Sequence, residues 1–348
     1  MVEPAVTPGG GTIAAPLEGT SSTVWLDAIL LVGGMGALIY AADRLVRSAV
    51  MISRAFEMSA VLIGAIVIGF GTSVPEFVVS GLAALEGNLD LAVSNVVSSN
   101  TANVTLVLGS AAMISALVAS RRVIRRQGLL MLAAVLVLTV ALLNGRLGFW
   151  EGVILLALLA GAIFLMMRWS LNDPSEIAHA LDDVEPAFDV ANRDEIGTDR
   201  WRRLVGREII VGIVALVVTV VAAKLMLDGV IGFGERLGLS VVFLGLVTGV
   251  GTSLPELAAA IAAARRNQSE LAIGNVLGSN IFNSLGVIGF AAILGPGRLE
   301  AVTPVFLAAM VLAAVIAGVF AYSGRRIQRV EGALLLAAFF AYALLAFV

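Results

Sequence analysis

The residues of this chain that could do chemistry are few, and they occur twice. Glu76 stands in GFGTSVPE and Glu256 in GVGTSLPE, and each is followed by a segment rich in Asn and Ser, SNVVSSNTAN and GNVLGSNIFN. Both glutamates lie deep in apolar runs, whereas Asp27, Asp43, Glu151 and Asp228 sit near the ends of such runs. An ionised carboxylate in hydrocarbon costs about 3 kcal/mol even on permissive scales, so each glutamate should face a cavity and a cation. A structural Glu, protonated or paired with Arg, is the alternative, but no basic residue lies deep in these runs to pair with it.

The neighbours of the glutamates suit cation chemistry. Pro75 and Pro255 lack an N–H and crowd the carbonyls of Gly71 and Gly251, so a helix should kink or break there. Glycines at 69, 71, 249 and 251 loosen the same turn, and carbonyls freed inside a membrane need partners. Asn95, Ser99 and Asn103 recur at i, i+4 and i+8, hence on one helix face, and Asn275, Ser279 and Asn283 repeat the spacing. For Asn95, Asn100, Asn275 and Asn280, interhelical glue is at least as good a reading as ligation. Ser99, Asn103, Ser279 and Asn283 hold the more suggestive positions. Carboxylate, hydroxyl, amide and backbone carbonyl make an all-oxygen set, which suits hard cations such as Ca²⁺ or Na⁺. Two carboxylates balance one divalent ion or two monovalent ones, the electrostatic requirement for exchanging one load for the other.

Other chemistries have little to work with. There is no cysteine, and the one histidine, His179, lies in the long polar stretch. Disulfides, thiolate or zinc sites and histidine relays are thereby disfavoured. No Ser/Lys pair lies at depth for an intramembrane enzyme, and no G-x-x-x-x-G-K-[ST] loop exists for a pump driven by ATP. No enzyme activity and no organic cofactor are expected, and a net charge of −3 suggests no nucleic-acid partner.

The elements that must position these groups follow from composition. Of 348 residues 59% are hydrophobic and 14% charged, with a mean hydropathy of +1.00. A soluble core cannot hide so much apolar surface, whereas spanning helices of about 20 residues can, and roughly ten are needed. Continuous apolar runs fall at about 24–43, 58–85, 89–118, 127–144, 148–168, 206–228, 239–264, 270–294, 301–321 and 330–348. They lack the short alternation of a strand barrel. With the N-terminus outside, 18 of the 22 basic residues fall on inside connections, which predicts both termini outside. Residues 1–23 read as a flexible tail without the basic region of a secretory signal. Residues 170–204 form the one long polar connection, a solvated cytoplasmic linker or a small regulatory loop binding cations through Asp182, Asp183 and Glu185.

Residues 69–109 superimpose on 249–289 without a gap, an offset of 180. Thr72/Thr252, Ser73/Ser253, Pro75/Pro255, Glu76/Glu256, Asn95/Asn275, Ser99/Ser279, Asn100/Asn280 and Asn103/Asn283 all coincide. The units are therefore 24–169 and 205–348, each with five spans. An odd number forces the second half to enter the membrane from the opposite side. The expected fold is an all-α polytopic membrane protein of ten transmembrane helices in two inverted-topology five-helix repeats, with its site near the midplane.

GTSVPE…SNVVSSNTAN and GTSLPE…GNVLGSNIFN resemble the two alpha-repeats of the sodium/calcium exchanger family, within the cation/Ca²⁺ antiporter superfamily. The resemblance covers effectively all of 24–348. It implies that Glu76 and Glu256 bind Ca²⁺ and Na⁺ at overlapping sites, ringed by Thr72, Ser73, Ser99 and Asn103 and by Thr252, Ser253, Ser279 and Asn283. It also implies a cell-membrane antiporter in which Na⁺ flowing down its gradient drives Ca²⁺ the other way, the first span of each half sliding past the core. One departure matters: many prokaryotic members carry Asp where Asn283 stands. With Asn in both halves the pocket has two titratable groups, which favours Na⁺ over proton coupling. A Ca²⁺(cation)/H⁺ antiporter is the alternative, and a passive cation channel a further one.

Overall fold

The computed structural model describes residues 21–56, 58–171, 198–236, 250–299, 304–324 and 326–345. Residues 1–20 of the expected tail lie outside the described residues. So do 172–197 of the polar connection, with His179, Asp182, Asp183 and Glu185, and 239–249 of the seventh apolar run, with Gly249.

Hydrocarbon offers no partner for a bare peptide group, so apolar runs of this length fold as helices that satisfy their own backbones. In chain order they are α1 (Ser21–Ala55), α2 (Ala60–Thr72), α3 (Val74–Leu85) and α4 (Leu89–Ile114). Next come α5 (Arg121–Leu142), α6 (Phe149–Leu171) and α7 (Thr198–Arg236). The last are α8 (Leu254–Arg265), α9 (Ser269–Leu294), α10 (Pro304–Gly324) and α11 (Arg329–Leu345). Among the described residues, seven helices are long and apolar enough to span a membrane, and the α2–α3 pair, bent by 43°, adds an eighth. The described parts of α8 and α11, with 12 and 17 residues, are shorter than such a span.

Two features depart from a purely helical reading. Four two-residue strands cap the bundle: β1 (Leu117–Val118), β2 (Arg146–Leu147), β3 (Gly297–Arg298) and β4 (Arg326–Ile327). They pair antiparallel as β1 with β4 and β2 with β3. The registers Leu117↔Ile327 and Val118↔Arg326 reappear as Gly297↔Leu147 and Arg298↔Arg146, each position moved by the 180-residue offset of the sequence repeat. Secondly, several helices contain a wide π turn, at Gly64–Gly69, Asn103–Val107, Ile124–Gly128 and Phe282–Val287. Each inserts a residue into the ladder and rotates the remainder of its helix, so the i, i+4, i+8 face read from sequence is disturbed at Asn103 and Asn283.

α4 and α9 form the centre. In their apolar windows 78% and 83% of residues are buried, against 22% to 33% for the other long spanning helices. α9 lies directly on α2 at Gly274 and Gly278, where any Cβ would run into the backbones of Val61 and Ala65. Small residues at such crossings let helix backbones meet where no hydrophobic drive exists between helices in lipid.

α1 and α7 pack along each other at the flank of this centre. Both overshoot the apolar runs 24–43 and 206–228 because their polar ends are paired. The Arg44 guanidinium donates to both Glu208 carboxylate oxygens at 3.1 and 3.0 Å, and Ser48 Oγ donates to one of them at 3.0 Å. At the far end Arg236 Nε donates to Asp27 at 2.6 Å. Two such pairs make α1 and α7 one body, since removing one partner strands a nearly buried charge.

Substituting Gly278→Val should separate α9 from α2 and cost about 1–3 kcal/mol as an overpacked contact. The expected result is a thermal unfolding midpoint in detergent several degrees below that of the parent. Gly318→Val, at a position with open space around it, should leave the midpoint unchanged.

Candidate cation site

The α2–α3 break falls at Ser73, whose φ and ψ of −80° and 3° leave the helix, and α3 restarts with Pro75 in its first turn. The same happens at Ser253 (−90°, 7°) with Pro255 opening α8. The chain breaks there because proline cannot supply the N–H that a continuous helix needs. The Ser73 N–H closes the last turn of α2 on the Gly69 carbonyl at 3.2 Å. The restart places Glu76 and Glu256 in the first turns of α3 and α8. There the unpaired N–H groups and the helix dipole favour negative charge by about 0.3–2 kcal/mol.

Both glutamates have 0% exposure, and Thr72, Ser73, Ser99, Asn103, Ser253, Ser279 and Asn283 are buried with them. Thr252 is half-buried, unlike its equivalent Thr72. The two threonines, equivalent under the repeat, therefore differ in burial.

The hydroxyls cross between the halves. Ser73 Oγ donates to Glu256 Oε1 at 3.2 Å, and Thr72 and Ser279 face the same carboxylate. Ser99 and Thr252 face Glu76, with their own oxygens 3.4 Å apart. Glu76 is thus flanked by a threonine of the second half, and Glu256 by a threonine and a serine of the first. The two carboxylates are near enough to repel one another. Both Glu76 oxygens, Glu256 Oε2 and Ser253 Oγ are buried without a hydrogen-bond partner. Buried charge and polarity left so are expensive unless a cation or proton answers them.

The asparagines divide. Thr72 Oγ1 donates to Asn275 Oδ1 and Thr252 Oγ1 to Asn95 Oδ1, both at 3.4 Å, one contact made twice under the repeat. Asn275 Nδ2 donates to the Glu256 carbonyl at 3.1 Å and Asn95 Nδ2 to Ser80 Oγ at 3.1 Å. Asn100 Nδ2 donates to Ser284 Oγ at 2.8 Å, and Asn103 Nδ2 to Asn280 Oδ1 at 3.3 Å where α4 meets α9. These are tethers between helices. Asn103 Oδ1 and both side-chain polar atoms of Asn283 have no partner. Among the described residues, no hydrogen bond joins Asn103 or Asn283 to either carboxylate.

Two contributors escape a reading of the repeat. Ser80 and Ser284 hold the asparagine tethers, yet the offset of 180 matches them with Ala260 and Val104. Their signal in the sequence is only that each is a hydroxyl within an apolar run. The Ser279 hydroxyl donates to the Gly69 carbonyl at 3.2 Å, so it also ties α9 to the end of α2.

Comparison with known proteins agrees with this architecture. The family described as sodium/calcium exchanger protein matches residues 26–168 and 208–348, one segment in each half. The chain is 32% identical over 327 residues to CaxA of Alkalimonas amylolytica, named as an antiporter, covering 92% of this chain and 98% of that one. It is 26% identical over 356 residues to the sodium/calcium exchanger MaX1 of Methanosarcina acetivorans, covering 93% and 99%. Among solved structures it superposes on the sodium-calcium exchanger NCX_Mj soaked with 10 mM Na⁺ and zero Ca²⁺, with a TM-score of 0.76 and 27% identity over 91% of this chain and 98% of that one. The chain belongs to the sodium/calcium exchanger family.

Proposed function

We propose that the chain is a secondary active antiporter of the cell membrane that exchanges Na⁺ for Ca²⁺ by alternating access. The observation that carries the reading is the pair of wholly buried carboxylates, with three of their four oxygens unpartnered, facing hydroxyls from both halves. Glu76 and Glu256 supply the charge, and Thr72, Ser73, Ser99, Thr252, Ser253 and Ser279 supply neutral oxygens. Asn103 and Asn283 are buried with carbonyl oxygens that have no partner. Ca²⁺ takes six to eight oxygens and tolerates irregular geometry, which suits so mixed a set. One Ca²⁺ or two Na⁺ neutralise the pair, whereas the unloaded pair carries two negative charges at depth. Crossing is then favourable only with one load or the other, and this couples the two ions.

The layout goes with ten spans in two inverted five-helix repeats and both termini outside. Support comes from the gapless offset of 180, its recurrence in the strand registers, and the distribution of arginine. Residues of the two halves would then approach the site from opposite faces of the membrane.

Proteoliposomes loaded with Na⁺ should take up ⁴⁵Ca²⁺ when diluted into Na⁺-free buffer. Glu76→Gln and Glu256→Gln should each reduce the initial rate at least 100-fold; full uptake by either variant would refute the site. A pH gradient substituted for the Na⁺ gradient should drive no uptake, and uptake under it would make the protein a Ca²⁺/H⁺ antiporter. Ca²⁺ flux with no opposing gradient would make it a channel. Asn283→Asp adds a third ionisable group in the buried cluster, so Ca²⁺ uptake should become pH-dependent, slower at low pH, where the parent varies less.

A further inference from the structure

Outside the ion site, four charges repeat between the halves with their signs exchanged. Asp43 follows Ala41 and Ala42 on α1, and Lys224 follows Ala222 and Ala223 on α7. All four alanines are buried. Asp43 pairs with Arg47 one turn on at 3.6 Å, and Lys224 pairs with Asp228 one turn on at 3.6 Å. Each member of the first pair thus has a counterpart of opposite charge in the second.

The partners across the gap repeat as well. Arg266 ends α8, and the 180-residue offset matches it with Glu86, which ends α3. The two turns have the same backbone. Glu86 (−80°, 2°) and Arg266 (−98°, 10°) are followed by Gly87 and Asn267 at φ 78° and 55°, then by Asn88 (−101°, 69°) and Gln268 (−90°, 63°). Asn267 is a positive-φ residue with a side chain, a conformation kept here by a turn that glycine occupies in the other half.

Only one of the two cross-pairs is made. Arg266 grips Asp43 through two hydrogen bonds, Nε at 2.6 Å and Nη2 at 2.8 Å, and α1 packs along α8. On the other half Lys224 stays with Asp228 on its own helix, Glu86 is exposed with no ion pair among the described residues, and α7 makes no comparable packing along α3. Thr72 and Thr252, equivalent under the same offset, differ in burial as well.

We propose that Asp43–Arg266 and Lys224–Glu86 are alternative latches of one sliding motion. α1 and α7, joined by Arg44–Glu208 and Asp27–Arg236, move as a unit, and two charges of that unit engage the core in turn. Asp43–Arg266 holds the conformation described here, closed on the arginine-rich face. Movement of the unit breaks that pair and brings Lys224 to Glu86, closing the opposite face. Exposed pairs are weak and screened, so each latch biases the two populations severalfold without locking either. These four are positioning residues and need not touch the ion. The proposal rests on the alternating-access reading above but not on which ions are carried.

Because the chain has no cysteine, pairs can be introduced singly and cross-linked oxidatively in proteoliposomes. Asp43→Cys with Arg266→Cys should link readily, and Glu86→Cys with Lys224→Cys should link during turnover, each link arresting transport reversibly with reductant. Lys224→Glu, placed in the Asp43→Cys/Arg266→Cys background, should raise the cross-linking rate two- to fivefold, and adding Glu86→Lys should return it to the starting value. The first pair's cross-link also shows that each variant is folded. Failure of the Glu86→Cys/Lys224→Cys link under every cation gradient, or no effect of Lys224→Glu on the first link, would overturn the latches. Cross-links that behave as described in a protein without Na⁺/Ca²⁺ exchange would instead overturn the ion assignment and leave the latches standing.

Discussion

Two carboxylates held in a hydrocarbon slab are the constraint on which this molecule depends. Neither Glu76 nor Glu256 has a basic partner among the described residues, and both are wholly buried. What stands in for a counter-ion is distributed: helix N-termini created by the breaks at Ser73 and Ser253, hydroxyls from the opposite half and, on the function proposed above, the transported cation. Each of these needs the others. Without the break there is no helix N-terminus beside the carboxylates, and without close approach of the halves no hydroxyl reaches across.

That close approach explains the composition of the central helices. α4 and α9 are buried on nearly every side, so most of their Asn, Ser and Thr side chains are answered by a neighbour, Asn283 being an exception. The threonine–asparagine contact, made once by Thr72 and Asn275 and again by Thr252 and Asn95, ties each broken helix to the central helix of one half or the other. Glycines at the α2–α9 crossing let the backbones meet closely enough for Ser279 to reach the Gly69 carbonyl. The polar site and the small-residue packing are one solution to the same problem.

The repeat also shows where symmetry stops. Strand registers and turn conformations at 86–88 and 266–268 obey it closely, whereas burial at Thr72 and Thr252 does not. A duplicated sequence does not oblige its halves to pack alike where they meet different neighbours. The differences cluster at α1 and α7, the helices least tied to the centre and most tied to each other.

Much of this was legible in the residues. Apolar run lengths, the gapless repeat and the isolation of Glu76 and Glu256 among so few acids named the elements and the candidate site, because hydrocarbon penalises unpaired polarity strongly enough to leave a visible pattern. Proline after a Gly-Thr-Ser run located the breaks for an equally local reason. Contacts between distant residues could not be read this way. Ser80 and Ser284 have no hydroxyl counterpart across the repeat, π turns shift the face carrying Asn103 and Asn283, and Arg266 meets Asp43 only because α1 packs on α8. The sequence alone determined which residues must be shielded and where helices must begin and break, since those are costs of a chain in lipid. Tertiary structure decided which hydroxyl faces which carboxylate and which ion pairs join one helix to another, since those depend on how the two halves pack against each other.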